Sequence, residues 1–126
     1  MASSVEWTFY ETEAFVDESP KYVGAFELSA LRQQLALQPL AGKAIPGASP
    51  LMSIDFAGAT VIYSINPAKR TIALIQIGKA TGKPVEVDPS SKPRLKEIAA
   101  LLRKGGYVAA GKEVAEWLID IFKDWF

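Results

Sequence analysis

SPLMSIDFAGATVIYSI, residues 49–65, decides the fold. It holds two strand-like runs, LMSIDF and ATVIYSI, joined by Ala57-Gly58, a pair suited to a tight hairpin turn. The turn NPAKR follows, and then a third apolar run, TIALIQI (71–77). Connections this short leave room only for antiparallel neighbours, so the three runs read as a meander. In the third run Ile72 and Leu74 alternate with Ala73, Ile75 and Ile77, which predicts a central strand covered on both faces. Asp55 is the only charge in the opening stretch; by alternation it shares a face with Leu51 and Ser53. That place fits a modestly exposed sheet residue with a hydrogen-bonding role better than a catalytic acid.

Upstream, VEWTFYET alternates Val5, Trp7 and Phe9 against Glu6, Thr8 and Tyr10, the period of a half-buried strand. Ser19-Pro20 fits a helix start, and the helix continues through AFELSALRQQLALQP until Pro39 stops it. Phe26 or Leu28, with Leu31 and Leu35, supplies its buried stripe. LAGKAIPGASP, rich in Gly and Pro, reads as a loop. Downstream, SSKPRLKEIAALLRKGG predicts a helix capped by Ser90 or Ser91, with Leu95, Ile98, Ala99 and Leu102 on one face and Gly105-Gly106 ending it. A last helix, KEVAEWLIDIFKDWF, sets Val114, Trp117 or Leu118, Ile121, Phe122 and Trp125 against a face carrying Lys112, Glu113, Glu116, Asp120 and Lys123. The order strand, helix, three strands, helix, helix reads as a compact α+β domain with two C-terminal helices. Residues 1–104 form the domain, and 105–126 form an amphipathic helix packed on that domain or on a partner.

Composition removes several chemistries. The 126 residues carry 14 basic and 14 acidic side chains, so no net charge draws the chain to nucleic acid, and RNA binding needs a local patch. Without cysteine or histidine there is no disulfide, no thiolate, no Ser-His-Asp triad and no His-ligated zinc within the chain. Glu6, Glu11, Glu13, Asp17 and Glu18 match no metal-ligand loop and read as a solvated face; neither a metal nor another cofactor is expected. MASSVEW has no signal-peptide pattern and no apolar run is long enough to cross a bilayer, so the chain reads as cytoplasmic.

The stretch from Glu27 to Lys79 resembles the RelE/HigB-type toxins of bacterial toxin–antitoxin modules, in the RelE/ParE superfamily. The leucine-rich helix LSALRQQLALQP running into AGKAIPG carries the resemblance, with a strand ending in Phe56 before V-I-Y, and IALIQI before Gly78-Lys79. DPSSKPRLKEIAALLRK stands where HigB-like members have a C-terminal helix. The resemblance implies a small curved antiparallel sheet flanked by helices, and a toxin that cleaves mRNA, often on the ribosome, and is silenced by a cognate antitoxin wrapped around it.

Phosphodiester cleavage needs a group to take the 2′-hydroxyl proton, cations on the phosphorane and an acid for the leaving oxygen. The family's strand after I-P-G typically reads R-K-L-R-F; here it is Met52-Ser53-Ile54-Asp55-Phe56, without its basic residues. Thr60 replaces an arginine common before V-I-Y, and the long basic loop is Ala57-Gly58. The cations that remain to serve are Lys43, Arg70 and Lys79, with Lys69 and Lys83 nearby in sequence; they act in RNA cleavage only if they converge on one edge of the sheet. Two functions stay open: a divergent mRNA endoribonuclease toxin, or a non-catalytic module that binds protein through its sheet or through Trp117, Ile121, Phe122 and Trp125. Those aromatics also suit a homodimer. The acidic polar face of the last helix speaks against a membrane surface.

Overall fold

A computed structural model of the chain describes residues 6–87, 90 and 92–103. The last helix expected from the sequence, with Trp117, Ile121, Phe122 and Trp125, lies outside the described residues, as do Val5 and Ser91. Strand β1 (Thr8–Glu11) leads into helix α1 (Glu13–Glu18), a 3-10 turn (Ser19–Lys21) and helix α2 (Ala25–Leu37). A two-residue strand β2 (Lys43–Ala44) then precedes β3 (Leu51–Phe56), β4 (Ala59–Asn66), β5 (Thr71–Lys79) and helix α3 (Lys92–Arg103). The sheet has the order β1-β5-β4-β3-β2. The architecture is α+β, as the sequence predicts.

β3, β4 and β5 form the expected antiparallel meander, with Asp55 opposite Thr60 and Ser53 opposite Ile62. Ala57 (φ 52°) and Gly58 (φ 80°) both turn left-handed, the backbone a two-residue hairpin requires. β1 pairs with β5 in parallel, Phe9 opposite Ile72, so the sheet is mixed. Two helices lie between the meander and β1 in sequence, and such a crossover permits a parallel partner where a hairpin cannot.

Two apolar layers sandwich the sheet. On one face Phe15, Leu31 and Leu35 pack on Ile54, Val61, Tyr63, Ile72 and Leu74. On the other, Leu95, Ile98 and Leu102 of α3 pack on Ile45, Leu51, Ile62, Ala73 and Ile75. Leu28, not Phe26, joins the first layer, while Phe26 is 86 % exposed. Ile77 also falls with Ile72 and Leu74, against simple alternation. A bulge is the cause: Ile62 faces Gln76 while Tyr63 faces Leu74, so β5 carries one extra residue and its face inverts beyond it.

Ser19-Pro20 does not start the long helix. Ser19 lies in the 3-10 turn after α1, and α2 is capped by Gly24, whose N–H donates to the Glu27 carboxylate at 3.0 Å. The short α1 is set by Thr12. Its hydroxyl accepts from the Phe15 N–H at 3.1 Å and donates to the Ile75 carbonyl, in the bulge, at 2.6 Å. Thr12 is buried, so Thr12→Val keeps the shape and leaves both partners unsatisfied. The expected loss is about 2 kcal/mol, read as a lower urea midpoint with unchanged slope.

Candidate functional site

The strand after the I-P-G turn lines a cleft of about 370 Å³ at the β2–β3 edge of the sheet. Ser53 and Asp55 of β3 lie within it, Gln34 and Gly42 bound one side, and Lys43 and Lys83 stand at its rim. Local rules explain each placement. Lys43 pairs with Ser53 across the β2–β3 ladder and so shares its face. Asp55 is exposed, and its Oδ1 accepts a 2.7 Å hydrogen bond from the hydroxyl of buried Thr60. Lys83 follows the left-handed Gly82, and its N–H donates to the Thr81 hydroxyl at 3.2 Å.

The loop carrying Lys43 is held from below by Tyr63. The Tyr63 hydroxyl donates to the Pro39 carbonyl at 3.0 Å and accepts from the Gly42 N–H at 3.0 Å. Gly42 sits so close that a Cβ there would lie 2.5 Å from both the Ser53 carbonyl and the Tyr63 oxygen. Burial pushes the Tyr63 phenol above its ordinary value, partly offset by the Gly42 N–H it accepts from. Tyr63 shows in the sequence only as part of V-I-Y; its contact with Gly42, 21 residues away, has no local signal.

The three cations singled out from the sequence do not meet. Lys43 stands at the cleft. Lys79 ends β5 opposite Ala59, whose side chain belongs to the α1–α2 layer, so it shares the other face. Arg70 precedes β5 at its far end, nine residues and roughly 30 Å of strand from Lys79. The cation that lines the cleft together with Lys43 is Lys83. Lys83 is visible in GKATGKP, but nothing local assigns it to Lys43, 40 residues earlier.

The cleft thus offers two ammonium groups, a carboxylate and small hydroxyls. Such a set can hold a phosphate and hydrogen-bond a polar edge beside it. It lacks the dense positive charge that phosphorane stabilisation demands. Among the described residues no group of three His, Cys, Asp or Glu side chains is placed to hold a metal ion, and no helix is long and apolar enough to cross a membrane.

An α+β domain with a cleft beside the β2–β3 edge of its sheet is the class these features define. No family model matches the chain, and no curated protein matches it either. Among solved structures it is similar to a mutant of the E. coli toxin RelE in the free state, with 18 % identity and a TM-score of 0.49 over 75 % of this chain and 94 % of that one. It is also similar to the isolated E. coli RelE toxin, with 21 % identity and a TM-score of 0.47 over 74 % and 99 %. The toxin–antitoxin complex RelBE2 from Mycobacterium tuberculosis is a third, at 16 % identity and a TM-score of 0.48 over 60 % and 100 %.

Proposed function

We propose that the chain is a divergent RelE/HigB-like toxin of a type II toxin–antitoxin module, acting on mRNA through the cleft between Lys43 and Lys83 and silenced by a cognate antitoxin. One observation carries this: the strand that follows I-P-G, where the resemblance sets the RNA site, lines a cleft with cations at its rim. Lys43 and Lys83 hold the RNA backbone, while Ser53 and Asp55 contact sugar or base edges. Any cleavage is slow, because an anionic Asp55 opposes the charge that builds on the phosphorane.

Asp55 also favours a second reading, a non-catalytic module that has kept the scaffold and binds protein instead. Induced expression with a growth readout and an RNA-cleavage map separates the two. The toxin reading expects growth arrest that Lys43→Ala with Lys83→Ala relieves, while Arg70→Ala leaves it intact. Growth at the normal rate in the parent, with intact transcripts and a co-purifying protein, sinks the toxin reading.

A further inference from the structure

Asp55 is exposed at the cleft, yet it is fixed in place. Its Oδ1 accepts from the Thr60 hydroxyl at 2.7 Å, and Thr60 is buried beside it on β4. Both residues belong to the last rungs of the β3–β4 hairpin, next to the tight turn at Ala57-Gly58. A carboxylate held this way loses little freedom when a ligand binds it. Its Oδ2 has no partner among the described residues and is open to an N–H donor.

No ion pair among the described residues involves Asp55, Lys43 or Lys83, although all three line one cleft. The strand ladder sets their spacing. Lys43 lies opposite Ser53, and Asp55 is two residues further along β3, so Lys43 and Asp55 are diagonal neighbours on one face. Diagonal side chains start about 7–8 Å apart. At that spacing one ligand can engage both, with an anionic group on the lysine side and N–H donors on the carboxylate. The cleft, about 370 Å³, is at the small end of ligand sites and has room for one nucleotide of a strand.

Given the RNA-binding reading of the cleft, on which this depends, we infer that Asp55 reads the base of a nucleotide whose phosphate Lys43 and Lys83 hold, selecting cytosine over uracil. Cytosine carries an amino group at its 4-position, and a carboxylate accepts from that amine. Uracil has the same shape but presents a carbonyl there. Oxygen then faces oxygen, and Asp55 gives up water with nothing in return. The charge that weakens the hold on phosphate thereby sorts bases. A cationic peptide side chain is the poorer occupant: it would satisfy Asp55 but set a third cation beside two ammonium groups.

Fluorescence anisotropy at low salt with labelled cytidine and uridine hexamers tests this. The unmodified chain is expected to bind the cytidine hexamer about tenfold tighter. Asp55→Asn should bring the two within about twofold, since an amide offers an acceptor to the amine and a donor to the carbonyl. Any electrostatic gain from removing the charge is common to both hexamers and cancels in their ratio. A hexamer whose cytosine amines are dimethylated cannot donate, and it should bind the unmodified chain no better than the uridine hexamer does; this arm leaves the protein unaltered. Equal binding of cytidine and uridine by the unmodified chain, a preference that survives Asp55→Asn, or undiminished binding of the dimethylated hexamer overturns the inference while RNA binding itself stands. Binding of none of the hexamers overturns both.

Discussion

Gly42→Val is expected to lower the thermal midpoint by roughly 10–15 °C and, under the toxin reading, to remove RNA binding at the cleft. The added Cβ meets a backbone carbonyl and the Tyr63 oxygen at 2.5 Å, and the carbonyl belongs to β3, which cannot yield without breaking the ladder. The loop must lift instead. That forfeits the Gly42 and Pro39 bonds to Tyr63 and the Lys43–Ser53 pairing. Overpacking at about 1–3 kcal/mol and stranded hydrogen-bonding groups at about 1–3 kcal/mol add to some 3 kcal/mol or more. Scanning calorimetry reads the first effect and a fluorescent RNA titration the second. A midpoint within a degree or two of the parent would show that the loop is not held this way.

Tyr63→Phe isolates the hydrogen bonds from the clash, with an expected loss of about 2 kcal/mol. The two proteins should also differ in alkali. With its pKa raised by burial, Tyr63 stays neutral in the folded chain while the unfolded chain ionises near pH ~10. The unfolded state therefore binds fewer protons above that pH, and stability falls as pH rises through the folded value. Below pH ~10 the phenol is neutral in both states and contributes no pH dependence. The alkaline decline should be shallower in Tyr63→Phe; parallel profiles would remove Tyr63 as its source.

Asp55→Arg is the second large effect, and here the sign is a gain. At about 7 Å and an effective dielectric near 40, a unit charge pair is worth about 1.2 kcal/mol. Reversing the charge doubles that, so under the toxin reading a short RNA binds roughly fiftyfold tighter at low salt, the gain shrinking as salt rises. Asp55→Asn should give about half the free-energy change, and the Thr60 hydroxyl keeps an oxygen partner in that variant. Under the toxin reading the arginine also speeds transcript cleavage. Tighter binding with no cleavage would separate RNA affinity from catalysis and favour the non-catalytic module.

Much of the fold was legible because its signals are local. Leu31 and Leu35 repeat at helical spacing and Pro39 follows, and α2 ends at Leu37. Ala57-Gly58 and NPAKR leave too few residues for anything but hairpins, and β3, β4 and β5 pair accordingly. Leu95, Ile98, Ala99 and Leu102 fall on one side of α3, and all four are buried. Asp55 was legible in the same way: alternation set it on the face of Leu51 and Ser53 as an exposed sheet residue, and it is exposed and accepts a hydrogen bond from Thr60.

The features that alternation misplaced depend on a partner strand. One extra residue opposite Ile62 turns Ile77 to the other face, and no composition within TIALIQI marks that bulge. Thr12 caps a helix of only six residues, too short to declare itself by period, and its hydroxyl is spoken for by a carbonyl 63 residues away.

By itself, then, the sequence determined the α+β class, the meander, the faces of α2 and α3 and the loss of the cations expected after I-P-G. The first three are written in periods and turns that span fewer than twenty residues, and the last in the resemblance of Met52–Phe56 to the family's strand. Tertiary structure decided the parallel place of β1, the hold of Tyr63 on the Gly42 loop, and the pairing of Lys43 with Lys83 in place of Arg70 and Lys79. These are meetings of segments far apart in the chain, and only the closure of the sheet and the packing of its layers bring them within reach.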